Sequence, residues 1–166
     1  MMEGSGVDIS PLRASGSVVV DAAPEALYEF IADMPSVGEI SAQCTGGVWV
    51  SDARGVGALF VGSNTWGDTT WTATMRVAVA DPGREFAWEN LGAADAPAAD
   101  DAPGLVRWGY TFEPVDGGTR VEETWRILQA YPELEAGEAG LPERLPQQMG
   151  RAIEKTLAKL KAKFES

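Results

Sequence analysis

Residues 106–127, VRWGYTFEPVDGGTRVEETWRI, constrain the fold most, because they have the pattern of a β-hairpin. Polar and apolar side chains alternate on both sides of an Asp-Gly pair, and such a pair between alternating runs is a strong hairpin signal. Asp116-Gly117 is therefore predicted to be the two-residue loop. This loop fixes a register with four informative cross-strand pairs: Phe112 with Val121, Tyr110 with Glu123, Trp108 with Trp125, and Glu113 with Arg120.

Glu123 is the unexpected member of this hairpin. The register places its carboxyl group on the aromatic face beside Tyr110, whereas Glu113 and Arg120 form a favourable charge pair on the other face. An ionised carboxylate is costly in apolar surroundings unless it is paired or hydrated. A sheet face of large aromatic side chains that holds one carboxylate therefore indicates a cavity rather than a plain core.

Composition excludes several classes of function. The formal net charge of −12 disfavours nucleic acid and anionic membranes as partners. The chain has no histidine, so the commonest general base and most transition-metal sites are missing, and the lone Cys44 forms no internal disulfide. No apolar run approaches the ~20 residues of a membrane span, and no secretory signal is visible. We therefore expect a cytoplasmic monomer or homodimer without cofactor, metal or membrane insertion.

The predicted elements are a strand, a helix, a short helical turn, about six antiparallel strands and a long final helix. Pro24 begins the first helix, predicted over 24–33, and the turn is predicted over 37–41. Turn residues separate the strands, which are predicted over 15–20, 48–51, 58–65, 69–80 and 85–91, followed by the hairpin. Residues 1–14 are expected to be a flexible N-terminal lead, and residues 92–104 a mobile loop rich in Ala, Asp and Pro.

The last helix carries one apolar stripe and follows the Pro- and Gly-rich segment 131–147. The members of the stripe are Met149, Ile153, Thr156, Leu157, Leu160 and Phe164. A helix with a single apolar stripe must cover a sheet face, and a sheet of this length curls rather than staying flat. Since one helix rarely fills a strongly curved sheet, the pattern predicts a cavity between sheet and helix, within a single α+β domain over 15–166.

A series of short segments matches a known order along the chain. They are PEALYEFIAD from Pro24, Cys44-Thr45-Gly46-Gly47, Gly57-Ala58-Leu59-Phe60 with Gly62 and Asn64, Trp71-Thr72, Asp81-Pro82-Gly83-Arg84 with Phe86 and Trp88, the hairpin, and Leu157-Ala158-Lys159-Leu160-Lys161. Over roughly residues 16–163 the sequence resembles the START-like, or SRPBCC, superfamily, in particular its bacterial polyketide cyclase/dehydrase-like branch.

The resemblance implies a helix-grip fold, in which a curved antiparallel sheet wraps around a long C-terminal helix and two short helices follow the first strand. Members of the family bind lipids, sterols, polyketides or other hydrophobic molecules, and some cyclise or dehydrate aromatic polyketides. Similar sequences often have a Trp-Ser-Pro-Glu-like segment before the Cys-Thr-Gly-Gly run. This chain has Ile40-Ser41-Ala42-Gln43 there, so an amide replaces an acid and a direct transfer of catalysis is weakened.

The candidate pocket lining is mostly aromatic. It comprises Trp49, Phe60, Asn64, Trp71, Met75, Phe86, Trp88, Trp108, Tyr110, Phe112, Glu123, Trp125, Met149 and Ile153. In the strand over 58–65, alternation alone allows either face to point inward, and the resemblance selects the face with Phe60 and Asn64. The same aromatic residues could instead fill a core without a void, and Glu123 could form a structural pair with an arginine or a buried water.

The main functional prediction is a carrier or sensor that binds a hydrophobic aromatic, polyketide-like or lipid molecule. The first alternative is a polyketide cyclase/dehydratase in which Glu123 and Tyr110 transfer protons. The second alternative is a protein-interaction module that uses its acidic surface. Because the chain has no histidine and has Gln43 where an acid is common, binding is better supported than catalysis.

Overall fold

The computed structural model describes residues 8–41, 44–93, 103–130 and 141–166. Within these ranges the chain forms seven strands, two α-helices and one 3₁₀ helix. Their bounds are β1 (Arg13–Val20), α1 (Pro24–Ala32), the 3₁₀ helix (Met34–Glu39), β2 (Cys44–Trp49), β3 (Leu59–Trp66), β4 (Thr69–Asp81), β5 (Glu85–Ala93), β6 (Val106–Val115), β7 (Gly118–Ile127) and α2 (Leu141–Glu165).

The strands form one antiparallel sheet in the order β1-β7-β6-β5-β4-β3-β2. Consecutive strands from β2 to β7 are neighbours, because short turns suffice to join antiparallel strands. β1 pairs with β7, so β1 and β2 are the two ends of the strand order. Helix α2 packs against β1 and β7, and the 3₁₀ helix packs against β2 at the opposite edge. The predicted helix-grip fold, a curved antiparallel sheet around a long C-terminal helix, is confirmed.

The hairpin of β6 and β7 has the predicted register in full. Val115 pairs with Gly118, so Asp116-Gly117 is the two-residue loop, and Tyr110 lies opposite Glu123. On the outer face Arg120 Nη1 lies 2.9 Å from Glu113 Oε1. The register was predictable because the Asp-Gly loop is a local signal that sets every pair behind it.

Several element boundaries differ from the sequence-based prediction. The first strand begins at Arg13 rather than at residue 15, and Leu12 before it is buried. The strand predicted over 48–51 is Cys44–Trp49. Gly46 and Gly47, which precede the predicted start of the strand, lie inside it, and a Cβ on Gly47 would collide with the backbone of β3. The division into a lead and a single domain over 15–166 stays a prediction.

The two later helices begin earlier in the sequence than predicted. The predicted turn over 37–41 is a 3₁₀ helix that begins at Met34, since a proline at its second position lacks only an N–H that would have no intrahelical partner. The last helix begins at Leu141, inside the segment 131–147 that was expected to precede it, and contains Pro146. Pro146 has no backbone N–H, so it removes one hydrogen bond from the second turn of the helix. Residues 131–140 lie outside the described residues.

Gly16 sets the distance between β1 and α2. It lies opposite Glu123 in the sheet, and a Cβ there would be 3.0 Å from Cγ2 of Ile153. Gly16→Ala is therefore expected to push α2 away and to lower the free energy of unfolding by about 1–3 kcal/mol, the usual effect of overpacking. Urea denaturation measures this loss. Ser17→Ala, an outward-facing change at the next residue, is expected to alter stability by less than about 0.5 kcal/mol. Equal effects of the two variants would contradict the assigned packing.

Candidate functional site

A cavity lies between the inner face of the sheet, the 3₁₀ helix and α2. Its lining consists of Met34, Val37, Ser41, Cys44, Phe60, Asn64, Trp71, Met75, Trp88, Asn90, Trp108, Tyr110, Glu123, Ala152 and Thr156. Its volume is about 60 Å³. Because one water needs roughly 10–15 Å³ by this measure, the cavity has room for about four waters. The interior is therefore neither fully packed nor widely open.

The sheet supplies most of the lining through alternation along its strands. On β3 the buried face carries Phe60, Gly62 and Asn64, which is the face that the resemblance selected. A Cβ on Gly62 would lie 2.8 Å from Cε of Met75, so glycine at this position leaves room for the Met75 side chain. Alternate residues of each strand thus form the inner wall, because successive side chains of a pleated strand point to opposite faces.

Glu123 and Tyr110 form the polar centre of the cavity. They are directly opposite one another on β7 and β6, and their exposed fractions are 3% and 1%. Removal from water raises the pKa of Glu123 to about 8, although the hydrogen bond from the Tyr110 hydroxyl acts in the opposite direction. Burial, and next the nearby Glu123 carboxyl, raise the pKa of Tyr110 well above its ordinary value. At neutral pH the centre is therefore a carboxylic acid hydrogen-bonded to a phenol.

Two buried polar atoms at this centre have no hydrogen-bond partner among the described residues. They are Nε1 of Trp88 and Oε1 of Glu123. The indole of Trp88 stacks on the ring of Tyr110, with 5.9 Å between the ring centroids. Because buried polar groups are nearly always paired, two unsatisfied atoms on one cavity wall indicate a place where another molecule supplies the partners.

Eight of the fourteen residues that were predicted to contact a ligand line the cavity. They are Phe60, Asn64, Trp71, Met75, Trp88, Trp108, Tyr110 and Glu123. The structure therefore brings together the aromatic wall and the polar pair that the hairpin indicated. Contact of any of these residues with a ligand stays a prediction.

Four of the other predicted residues are aromatic and lie outside the lining. Phe86 and Phe112 pack edge-to-face on Tyr28 of α1, at centroid distances of 5.9 and 6.0 Å. Trp49 lies behind Phe60 at 5.5 Å, with its outer side covered by the Arg54 guanidinium. Trp125 is buried, but it also lies outside the lining. Alternation identifies the inner face of a strand but does not identify which inward side chains another element covers.

On α2 the residues that line the cavity are not the two that were predicted to do so. Met149 and Ile153 are buried in the core, whereas Ala152 and Thr156 line the cavity. Ile153 approaches Gly16 of β1, so the large apolar side chains of the helix pack on the sheet. The small residue Ala152, which leaves space, faces the cavity instead. The apolar stripe shows which residues of α2 are buried, but it does not show which of them face the cavity.

The sequence analysis missed the contribution of the 3₁₀ helix and the segment that follows it. Met34, Val37, Ser41 and Cys44 line the cavity on this side, and Asn90 lines it from β5. The only signal for Met34 and Val37 was their apolar character: Val37 begins the predicted helical turn over 37–41, and Met34 precedes that turn. Burial raises the pKa of the Cys44 thiol, which is the opposite of what an activated nucleophile needs.

Other features singled out in the sequence do not contribute a described site. Gln43 and residues 94–102, most of the mobile loop that was predicted over 92–104, lie outside the described residues. In the part of the chain that the structure describes, no three acidic, cysteine or histidine groups cluster as a metal site would require. None of the described helices is both long enough and apolar enough to cross a lipid bilayer.

The fold and the cavity together define a helix-grip protein with an apolar pocket and a polar centre. The family model described as "Polyketide cyclase / dehydrase and lipid transport" matches residues 11–165. The chain belongs to this family, which confirms the resemblance to the START-like superfamily. No curated protein matches the sequence significantly.

Solved structures of similar shape include members with cyclase-related names. The solution structure of a Polyketide_cyc-like protein from Corynebacterium glutamicum is 26% identical, with a TM-score of 0.63, and 93% of this chain covers 91% of that one. A crystal structure of a Chromobacterium violaceum protein is 17% identical, with a TM-score of 0.65 and coverage of 94% and 99%. The di-domain ARO/CYC StfQ of the steffimycin biosynthetic pathway is 15% identical, with a TM-score of 0.63, and 93% of this chain covers 50% of it.

Proposed function

We propose that the protein binds a neutral hydrophobic molecule in the cavity between the sheet and α2, as a carrier or sensor. The observation that carries this proposal is the pair of unsatisfied buried atoms, Nε1 of Trp88 and Oε1 of Glu123, on a wall that combines apolar and aromatic side chains with several polar ones. Small-molecule sites have this composition: apolar walls supply affinity, and a few placed polar groups fix orientation.

The two polar atoms restrict the chemistry of the ligand. The indole N–H of Trp88 donates only, so the ligand must present an acceptor such as a carbonyl or ether oxygen. Glu123, kept neutral by burial, can exchange a hydrogen bond with a hydroxyl or a second carbonyl group. An anionic ligand is disfavoured, because its charge would be buried in the same surroundings that keep the Glu123 carboxyl un-ionised. The site therefore suits an uncharged aromatic or alicyclic molecule with one or two oxygen atoms.

The size of the cavity requires movement on binding. A volume of about 60 Å³ is well below the roughly 300–1,000 Å³ that small-molecule pockets usually have. Two of the lining residues, Met34 and Met75, are methionines, whose unbranched side chains repack more readily than aromatic rings. We expect their rotation, together with displacement of half-buried Trp71 or Trp108, to open the site.

Family membership supports the proposal without naming the ligand. The family description covers both cyclisation or dehydration of polyketides and lipid transport, and all of these activities use a hydrophobic small molecule. Native mass spectrometry of freshly purified protein tests the proposal. We expect a retained small molecule that organic solvent releases, whereas a protein partner in stoichiometric amount and no small molecule would favour the acidic interaction module instead.

A second candidate function, polyketide cyclisation or dehydration, is favoured by the pKa of Glu123 at about 8 beside Tyr110. A group that titrates near neutral pH can both accept and return a proton. With a poly-β-ketone substrate, Glu123→Gln is expected to abolish turnover and to change ligand affinity by no more than a few-fold. Product formation measured by chromatography tests this, and wild-type protein that binds the substrate but never converts it supports the carrier.

A further inference from the structure

The outer face of the sheet carries a row of charged side chains that the cavity does not use. Arg13 of β1 pairs in register with Arg126 of β7, and Arg126 pairs with Arg107 of β6. Glu89 and Arg76 continue the same row across β5 and β4. Three arginines are therefore direct cross-strand neighbours, separated by the strand spacing of about 4.8 Å.

Ion pairs neutralise only one end of this row. Glu89 lies 3.3 Å from Nη1 of Arg107 and 3.8 Å from Nη2 of Arg76. For Arg13 and Arg126 the structure records no ion pair with the residues it describes, and both side chains are exposed. Like charges placed directly opposite one another destabilise a sheet. Arg13 and Arg126 are therefore unfavourably placed beside Arg107, and the described residues form no ion pair that compensates for these two charges.

The surroundings of the row suit an anion. Arg13, Arg107 and Arg126 share a surface depression with Ser15, whose hydroxyl is a further possible donor. The depression also contains the carboxylate of Glu122, which lies four residues from Arg126 on the same strand. Four residues of strand span about 13 Å, which exceeds the screening length of about 8 Å at physiological salt. Glu122 therefore leaves the positive potential at the row largely intact.

We propose that this arginine row is a binding site for a compact phosphate-bearing small molecule, separate from the cavity. Guanidinium groups present fixed pairs of N–H donors that match phosphate oxygens, and Arg107 keeps donors free beside its bond to Glu89. A compact anion interacts mainly with the nearby arginines. An extended polyanion or an anionic membrane would also meet the rest of a chain whose net charge is −12. The negative net charge of the chain therefore favours a small anion over an extended polyanion or a membrane.

Calorimetric titration with inorganic pyrophosphate at about 150 mM salt, without divalent ions, tests the site. We expect saturable binding at one site, tighter than that of orthophosphate. Arg126→Gln, at the centre of the row, is expected to weaken binding at least about tenfold, since charge-assisted bidentate hydrogen bonds are lost. The matched control is Arg120→Gln: Arg120 lies on the same face of β7, but it is paired with Glu113, and its loss is expected to change affinity less than about twofold.

A readout of stability separates a binding role from a structural one. Removal of Arg126 relieves like-charge repulsion, so the melting temperature of the free variant is expected to equal or exceed that of the wild type. Pyrophosphate should raise the melting temperature of the wild type and of Arg120→Gln, but not that of Arg126→Gln. Three results would overturn the proposal: no saturable binding, equal losses in both variants, or tighter binding to phosphatidylserine vesicles than to pyrophosphate.

Discussion

Glu123→Gln is expected to make the protein more stable at about pH 8 by roughly 3–5 kcal/mol and to leave its stability near pH 4 almost unchanged. Burial raises the pKa of the folded-state carboxyl from 4.5 to about 8. A difference of this size corresponds to roughly 5 kcal/mol, and water entry around the ionised group reduces the observed effect.

The sign of this pH dependence follows from proton binding. Below the unfolded-state pKa of 4.5, both states hold the proton, so the carboxyl carries no penalty. Between 4.5 and about 8 the folded state keeps a proton that the unfolded state has released, so stability falls as the pH rises. Above about 8 both states are ionised, and the penalty is constant. Glutamine does not titrate, so the variant lacks this loss.

Urea denaturation of wild type and variant between about pH 4 and pH 9 measures the difference. The matched control is Glu122→Gln, because Glu122 is the neighbouring glutamate on β7 and faces solvent. Its effect on stability is expected to be within about 0.5 kcal/mol at every pH. A Glu123→Gln difference that does not grow with pH would show that the carboxyl is ionised in the folded protein and paired with a cation.

Ala152→Phe is expected to block the cavity and to weaken the binding of a neutral naphthyl ketone dye at least about tenfold. Ala152 is a half-buried lining residue of α2, so a benzyl group there occupies the space that a ligand ring needs. The fold should survive, since the unbranched side chains of Met34 and Met75 can repack around the added ring. Fluorescence titration measures the affinity, and circular dichroism checks the fold.

Ala158→Phe provides the control for this change. Ala158 belongs to the same helix but is exposed, so the substitution adds the same ring without entering the cavity. We expect its affinity for the dye to stay within about twofold of the wild type. If both variants bind like the wild type, the dye occupies another surface, and the cavity is not the binding site.

The hairpin could be predicted in detail because its signals are local. The Asp-Gly loop set the register, and the register placed Glu123 opposite Tyr110 on the inner face, as the structure confirms. One long amphipathic helix after a run of antiparallel strands predicted a sheet that curls over that helix, and the family resemblance implied the helix-grip fold, which is confirmed. The cavity was predicted on two grounds: an acid on an aromatic face, and a single helix that rarely fills a strongly curved sheet.

The remaining features depend on contacts between elements that are distant in the sequence. Rotation of α2 about its axis, set by Ile153 against Gly16, determines that Ala152 and Thr156 face the cavity. Tyr28 of α1 covers Phe86, so this inward aromatic residue lies in the core and not at the cavity. A periodic pattern states which residues are buried, but it does not state which neighbour buries them.

The central claim is that the cavity binds a neutral molecule through the polar centre at Trp88 and Glu123. Proton–nitrogen correlation spectra of the indole groups during titration with the naphthyl ketone test it most directly, with the Trp88 signal assigned by its loss in Trp88→Phe. The account predicts that the Trp88 signal shifts downfield as its N–H gains an acceptor, while the signal of Trp49, which lies outside the lining, changes little. A Trp88 signal that stays in place at saturating ligand would contradict it.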